Sequence, residues 1–209
     1  MLRDIVYYFQ LFFEAAAGVV GIRLYEEPPF DVISTLTGGI EVRRYAPRLA
    51  AQVDLPSVGD QARDEAFRVL FRYIAGGNLA AEKIEMNVPV ATEAPAEKIA
   101  MTVPVETEQR GNGVRMQFFL PARYTEGTAP RPTDSRVRIA RVAEETLAVL
   151  RFSGRGEQDE FVKRKLELLK GIAATRWLPR GEATAQSYDA PFTLPFLRRN
   201  EVAVAVAER

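Results

Sequence analysis

The side chains that could do chemistry are restricted in this chain of 209 residues, because it contains neither histidine nor cysteine. Without imidazole it lacks the commonest general base and the commonest metal ligand, and a Ser-His-Asp arrangement is excluded. Without thiols it can form no disulfide, thiolate metal site or cysteine nucleophile. Any catalysis must therefore rest on Asp, Glu, Lys or Tyr, or on a bound cofactor.

No pair of carboxylates stands at a spacing that indicates a general acid working with a general base. We therefore predict no catalytic residue and no metal ligand, and a binding role is favoured over an enzymatic one.

A polar run that carries three charges, Arg198-Arg199-Asn200-Glu201, begins a predicted strand near the C-terminus. Charges are retained in protein interiors when they are paired, so we expect Arg199 to pair with Glu201, with Asp189 or with a backbone carbonyl. This interpretation is structural. The alternative is that Arg198 binds an anion.

A tandem repeat is the most distinctive feature of the sequence. "AEKIEMNVPVATE" at 81–93 returns as "AEKIAMTVPVETE" at 96–108. Apolar and polar residues alternate in both copies, which predicts two adjacent antiparallel strands with Met86 and Met101 on one buried face. Pro89 and Pro104 lack an amide hydrogen and must lie at an edge, a bulge or a strand end.

The rest of the chain contains segments that could position these residues. Short alternating runs predict strands at 32–36, 40–45 and 49–55, with turns at Gly38-Gly39 and Ala46-Pro47. A helix follows, with its apolar face at Ala62, Ala66, Leu70 and Tyr73 and its end at Gly76-Gly77. A further strand is predicted in "VRMQFFLPARY".

The second half repeats this plan. Residues 137–152 can be laid over residues 40–55, and each segment is predicted to be a hairpin with a short turn. A helix again follows, and "EATAQSYDAP" and "NEVAVAVA" predict the closing strands. The apolar face of this second helix is predicted at Val162, Leu166, Leu169 and Ala173, which recur at helical spacing.

Composition narrows the function. The chain has 28 basic and 28 acidic residues, so its formal net charge is zero and nucleic-acid binding is not expected. An apolar content of 47% can fill one substantial core, and we interpret residues 23–209 as one domain.

Residues 1–22 predict a separate, strongly apolar amphipathic helix, interrupted by Asp4, Gln10 and Glu14. Three interpretations stay open: the helix lies on a membrane or a protein partner, it spans a membrane, or it packs on its own domain. The run lacks the uninterrupted apolar stretch of a signal peptide. We expect a cytoplasmic protein, with this helix as the element that would contact a membrane surface or a protein partner.

Three ordered motifs, "KIAMTVPV", "MQFFLP" and "YDAPFTLPFLRRNEV", together with the upstream "YIAGGN", closely resemble the SOUL family of haem-binding proteins. The resemblance extends from about Tyr25 to Val206. It implies an α+β fold: a distorted antiparallel β-barrel of two pseudo-symmetric strand-helix halves, each with a helix packed on the sheet. The N-terminal helix is additional to it.

The resemblance also implies that the protein binds haem or a related tetrapyrrole in a hydrophobic cleft, as a buffer or carrier. The alternatives are a small-molecule-binding or hydrolytic protein of gyrase-inhibitor type that uses the same cleft, and an interaction protein docked through residues 1–22. The likeness to such hydrolases, which depend on a Glu and aromatic residues, implies Glu65, Glu85 or Tyr188 as the residues for a hydrolytic role. Carried over to this sequence, the site would comprise helix residues and residues of a loop near the C-terminus: Arg63, Ala66, Phe67, Leu70, Phe71, Phe192, Leu194, Phe196 and Arg198.

The sequence departs from the family pattern in two respects. The helix residue proposed elsewhere in the family to meet a haem propionate is basic, whereas Asp64 stands there in this chain and Arg63 precedes it. Adjacent helix residues point about 100° apart, so Arg63 is an imperfect substitute. Haem would also bind without histidine, which leaves Tyr, Met or Lys as axial ligand, or none.

Overall fold

The computed structural model describes residues 25–80 and 96–209. Among them are two α-helices, α1 (Asp60–Ile74) and α2 (Gln158–Ala173), and a short 3₁₀ turn at Pro195–Leu197. The strands are β1 (Phe30–Leu36), β2 (Ile40–Tyr45), β3 (Arg48–Leu55), β4 (Asn78–Leu79), β5 (Val105–Arg110), β6 (Gly113–Phe119), β7 (Arg131–Pro132), β8 (Val137–Val142), β9 (Glu145–Phe152), β10 (Trp177–Ser187) and β11 (Asn200–Glu208).

Nine strands form one antiparallel sheet in the order β1-β2-β9-β11-β10-β5-β6-β3-β8, and β4 pairs separately with β7. The fold is thus α+β, as predicted. The predicted barrel is not confirmed, because β1 and β8 end the sheet and do not pair with each other in the described part of the chain.

The two predicted hairpins are wrong. β2 pairs with β9, and β3 pairs with β8, rather than β2 with β3 and β8 with β9. The links Ala46-Pro47 and Ala143-Glu144 do not suit hairpin turns, because a two-residue hairpin turn requires a positive φ angle, which proline cannot adopt and which alanine and glutamate disfavour. The segments 40–53 and 137–150 instead run antiparallel to each other in one register, from Ile40 opposite Leu150 to Val53 opposite Val137.

Both helices pack on the same face of the sheet, and each covers its own core. α1 lies on β3, β6 and β8, whereas α2 lies on β9, β10 and β11. The predicted apolar face of α1 is confirmed, since Ala62, Ala66, Leu70 and Tyr73 are all buried. The helix ends as expected before Gly76, whose φ of 114° suits glycine.

The predicted apolar face of α2 is wrong. Val162, Leu166 and Leu169 are exposed, and the residues buried against the sheet are Phe161, Leu168 and Ile172. The two sets form neighbouring stripes on one helix, and periodicity alone cannot choose between them. Contact with the sheet decides it. The ring of Phe161 packs edge-on against Phe152 of β9, 5.3 Å between centroids.

The second copy of the tandem repeat is a strand only at its end. Ile99 and Val103 are buried as the alternation predicts, but β5 begins at Val105. Pro104 directly precedes that strand, which confirms its expected place at a strand end. The first copy, and with it the predicted pairing of the two copies, lies outside the described residues.

Residues 1–22 also lie outside the described residues, so the predicted N-terminal helix stays a prediction. Within the described ranges, neither helix has the length and hydrophobicity that crossing a bilayer requires.

Candidate functional site

A cleft of about 900 Å³ opens between the two helices. It exists because α1 and α2 cover opposite halves of the sheet and β5, which stands between β10 and β6, lies in the gap. Its volume is at the upper end of the range of about 300–1,000 Å³ typical of small-molecule sites. The floor of the cleft is therefore the exposed face of β5 and its two neighbours.

The floor is mostly apolar. Residues that alternate along a strand share one face, and Val105, Thr107 and Gln109 of β5 face the cleft by this rule. β6 contributes Val114 and Met116 beside them, and β10 contributes further residues. The residues from β10 are Ala185 and Ser187. Met101 and Val103, which precede β5, complete this surface.

One wall of the cleft is α1. Asp60, Arg63, Asp64, Phe67 and Phe71 recur at intervals of three or four residues and so form one stripe along the helix. The rings of Phe67 and Phe71 stack with their centroids 5.9 Å apart, and the two side chains are 37% and 48% exposed. Large apolar side chains are usually buried, so this exposed aromatic pair marks a surface suited to contact with a ligand.

The opposite wall is α2, through Gln158, Phe161 and Lys165. The loop that follows β10 closes one end of the cleft with residues 188–192, which include Phe192. Arg63 links the two walls, because its guanidinium donates to the side chains of both Asp60 and Gln158.

Four of the nine predicted site residues line the cleft: Arg63, Phe67, Phe71 and Phe192. Ala66 and Leu70 do not. Both are 0% exposed and belong to the core beneath α1, because they lie on the helix face that turns toward the sheet. Leu194 and Phe196 are exposed but are not among the residues that line the cleft.

Arg198 also lies outside the cleft lining, and its guanidinium is engaged. Nε donates to the carbonyl of Thr193 at 2.7 Å, Nη1 donates to that of Arg155 at 3.0 Å, and Nη2 donates to that of Pro191. These bonds hold the loop before β11 in place. They leave few donors for the anion that the alternative interpretation assigned to Arg198.

The predicted pairing of Arg199 is confirmed, and it is part of a larger buried cluster. Arg199 Nε donates to Glu201 at 2.9 Å, and the Arg199 amide donates to Asp189 at 2.6 Å. Arg43 donates to both oxygens of Glu201, at 2.8 and 3.2 Å, and the Tyr188 hydroxyl donates at 2.7 Å. Burial alone would raise the pKa of Glu201, but the two guanidinium groups outweigh it and the pKa is lowered.

Two of the candidate catalytic residues, Glu65 and Tyr188, are engaged by other side chains. Glu65 forms an exposed ion pair with Arg136 at 3.0 Å, outside the cleft, and the Tyr188 hydroxyl is bonded to Glu201. Glu85 lies outside the described residues. Among the residues that the structure covers, no three acidic, histidine or cysteine side chains are grouped as they would be around a metal ion.

The sequence matches the model of the SOUL heme-binding protein family over residues 25–205. The chain belongs to the SOUL family. This match covers nearly everything that forms the sheet, the two helices and the cleft.

A curated relative of this SOUL protein is mouse Heme-binding protein 1, which is 26% identical over 181 residues, or 83% of this chain and 89% of the mouse protein. Among solved structures, the C-terminal domain of EcmrR has a TM-score of 0.56 at 7% identity, covering 81% of this chain and 98% of that one. A hydrolase from Listeria innocua has a TM-score of 0.50 at 12% identity, covering 80% and 91%. At such identities, these structures show a shared fold alone.

The residues that line the cleft of this SOUL protein suit the flat apolar faces of a porphyrin, but they include no histidine or cysteine to bind its iron strongly. The cleft is roomy, largely apolar and lined by aromatic rings, as a planar macrocycle requires. The lining residues of types that can bind haem iron are Tyr25, Tyr188, Met101, Met116 and Lys165, and the hydroxyl of Tyr188 is hydrogen-bonded to Glu201. Haem bound there would supply its own iron and ring chemistry, and the protein would supply the apolar enclosure.

The family resemblance did not point to Met101, Met116 or Lys165 as cleft residues. Met101 stands in the repeat and was expected to fill the core. Lys165 follows Phe161 by four residues, so helical spacing could have placed the two together, but only the packing of α2 shows that this stripe faces the cleft.

Proposed function

We propose that this protein binds haem or a related tetrapyrrole in the cleft between α1 and α2 and acts as a buffer or carrier. The observation that carries the proposal is the apolar cleft of about 900 Å³ in a member of the SOUL family, with Phe67 and Phe71 exposed on its wall. A porphyrin buries two flat apolar faces, and stacked aromatic side chains match such faces in shape and chemistry.

Affinity in this proposal comes from apolar contact and from charge pairing of the propionates, with no imidazole or thiolate bond to iron. Phe67, Phe71 and Phe192 contact the ring, and Arg63 lies beside it on α1. Arg63 already bonds Asp60 and Gln158, so its contribution to a propionate is shared with these partners. Binding is therefore expected to be weak and to depend little on the metal.

Titration of the purified protein with haemin tests the proposal. We expect a Soret band of high-spin haem, and iron-free protoporphyrin IX should bind about as tightly as haem, because the ring rather than the iron is recognised. A low-spin spectrum with two strong ligands, or strong discrimination against the iron-free ring, would contradict the binding mode. Absence of binding for both ligands would contradict the function.

We also propose that the sheet curls into a distorted barrel built from two pseudo-symmetric halves. The support is the register across the two bends: segments 40–53 and 137–150, which can be laid over each other in sequence, pair antiparallel on both sides of Ala46-Pro47. An exchange of the two halves by a two-fold rotation would leave this pairing unchanged. Each half also carries one helix on the same face of the sheet.

A further inference from the structure

Lys165 is the basic residue of α2 that lines the cleft, and its position is unusual for a lysine. It follows Gln158 and Phe161 on the stripe that faces the cleft, and the side chain is only partly exposed. Phe161, one helical turn before it, lines the same cleft, and the floor opposite α2 is largely apolar. A lysine stem packs well on such a surface, but its ammonium loses water there and needs an anion.

No described residue supplies that anion. The ammonium of Lys165 makes neither an ion pair nor a hydrogen bond with any residue in the described ranges. The carboxylates of Glu182 and Glu108 act on it only at longer range, and Glu108 is paired with Arg110 at 2.7 Å. Burial lowers the pKa of Lys165, with a smaller contribution in the same direction from Arg63.

Arg63 and Lys165 differ in this respect. Arg63 stands on the α1 wall with its guanidinium satisfied by Asp60 and Gln158. Lys165 stands on the α2 wall, where the carboxylates of Glu182 and Glu108 offset its charge only from a distance and no described side chain pairs with it directly. An anionic ligand in the cleft would gain more from Lys165, because no existing hydrogen bond has to be broken.

We propose that Lys165 is the residue that selects an acidic ligand: its ammonium binds a carboxylate, or an equivalent anionic group, of a ligand whose apolar body lies on the floor of β5, β6 and β10. This inference deepens the proposed function, since it rests on the same cleft and names the chemical class of the ligand as amphipathic organic acids. A propionate of a tetrapyrrole is one such group. The proposal does not depend on iron.

The test compares two pairs of probes that differ only in their charge. The first pair is protoporphyrin IX and its dimethyl ester, and the second is 8-anilinonaphthalene-1-sulfonate and the uncharged N-phenyl-1-naphthylamine. Fluorescence titration of the full chain gives the affinity for each, and the ratio within a pair measures selection for the anion. We compare Lys165→Met with Lys163→Met, which removes an exposed lysine from the same helix.

We expect the wild-type protein and Lys163→Met to prefer the anionic member of each pair by about tenfold, which corresponds to one partly desolvated charge pair. Lys165→Met should lose that preference while binding the uncharged probe as well as before, and Lys165→Arg should restore part of it. Equal ratios for Lys165→Met and the wild type would overturn the proposal. Thermal melting of each variant verifies that it is folded.

The two pairs separate this inference from the proposed function. If the wild type binds the naphthalene probes with selection that depends on Lys165 but binds no porphyrin, the acid-selecting site stands and the tetrapyrrole function fails. If both porphyrins bind equally in the wild type and in Lys165→Met, the function stands and the role of Lys165 fails. If none of the four probes binds, both fail.

Discussion

Glu106 and Glu201 are carboxylates on the same face of the sheet whose pKa values shift in opposite directions. Glu201 is held in its ionised form by Arg43 and Arg199. Glu106 of β5 lies directly opposite Gln186 of β10 and Gln117 of β6. Its carboxylate accepts hydrogen bonds from the side-chain amides of these two residues, at 2.7 and 2.6 Å. Amides do not balance a buried charge as guanidinium groups do, so burial raises the pKa of Glu106 to about 7.

Glu106 therefore predicts a pH dependence of stability. The ordinary pKa of 4.5 applies to the unfolded chain and about 7 to the folded one, so between these values the unfolded chain releases a proton that the folded protein keeps. The free energy of unfolding should fall as pH rises through this window, by on the order of 3 kcal/mol, and should be level above it. Glu106→Gln should remove this fall, as measured by denaturant unfolding at pH 4.5 to 8.

Glu108→Gln is the matched control on the same strand. Glu108 is paired with Arg110 toward the end of β5 and should leave the pH profile as it is. If Glu106→Gln has the same pH profile as the wild type, Glu106 titrates normally and the assignment of its raised pKa is wrong.

At the scale of elements, the apolar residues of α1 form two adjacent stripes, one buried in the core and one lining the cleft. Ala66 and Leu70 on one stripe fill the core, and Phe67 and Phe71 on the next stripe form the cleft wall. The two stripes meet, because the Phe67 ring packs edge-on against Phe118 of β6 with 5.4 Å between centroids. The helix therefore anchors the cleft wall to the core.

Phe67→Ala should separate the two roles of α1, core packing and cleft lining. We expect a loss of stability clearly below the roughly 3–5 kcal/mol of a buried aromatic residue, because the side chain is 37% exposed, and a loss of haemin affinity of about tenfold or more. Thermal unfolding and haemin titration on the same preparation measure both. Phe118→Ala, at a site 2% exposed, is the control and should mainly destabilise. Large destabilisation by Phe67→Ala with unchanged affinity would remove Phe67 from the site.

At the scale of the whole molecule, the division of one sheet face between two helices leaves room for a ligand. The core under α1 and the core under α2 are separate clusters, and the cleft lies above the strand that neither helix covers. The described parts of both cores and of the cleft lie within residues 25–209, and the family match begins at residue 25. The start of that match is the reason to expect a domain that folds without residues 1–22.

We predict that removal of residues 1–22 leaves a folded, monomeric domain that still binds its ligand, whereas the full chain associates with membranes or with itself. The reason is that the apolar residues of this segment, among them Phe9, Phe12 and Phe13, would form a patch that soluble monomers avoid. Size-exclusion chromatography and vesicle sedimentation measure both outcomes. A monodisperse full chain whose truncated form unfolds would show that the segment belongs to the core of the domain.

The amino-acid sequence was sufficient to predict the α+β class, the apolar face of α1, that Arg199 is paired, and the family. These depend on local spacing or on ordered motifs, which a single chain displays directly. Only the fold shows that segments 40–53 and 137–150 pair with each other, because the links Ala46-Pro47 and Ala143-Glu144 disfavour hairpin turns but do not specify which distant strand each segment meets.

The tertiary structure also decided which residues face the cleft. Arg63, Phe67 and Ala66 are neighbours in the chain, but only the direction in which α1 meets the sheet separates wall from core. The place of Lys165 in the cleft could not be predicted for the same reason. α2 carries two apolar stripes, and its contact with β9, β10 and β11 determines which of them is buried. Periodicity specifies which residues share a face, and packing between distant segments specifies what that face meets.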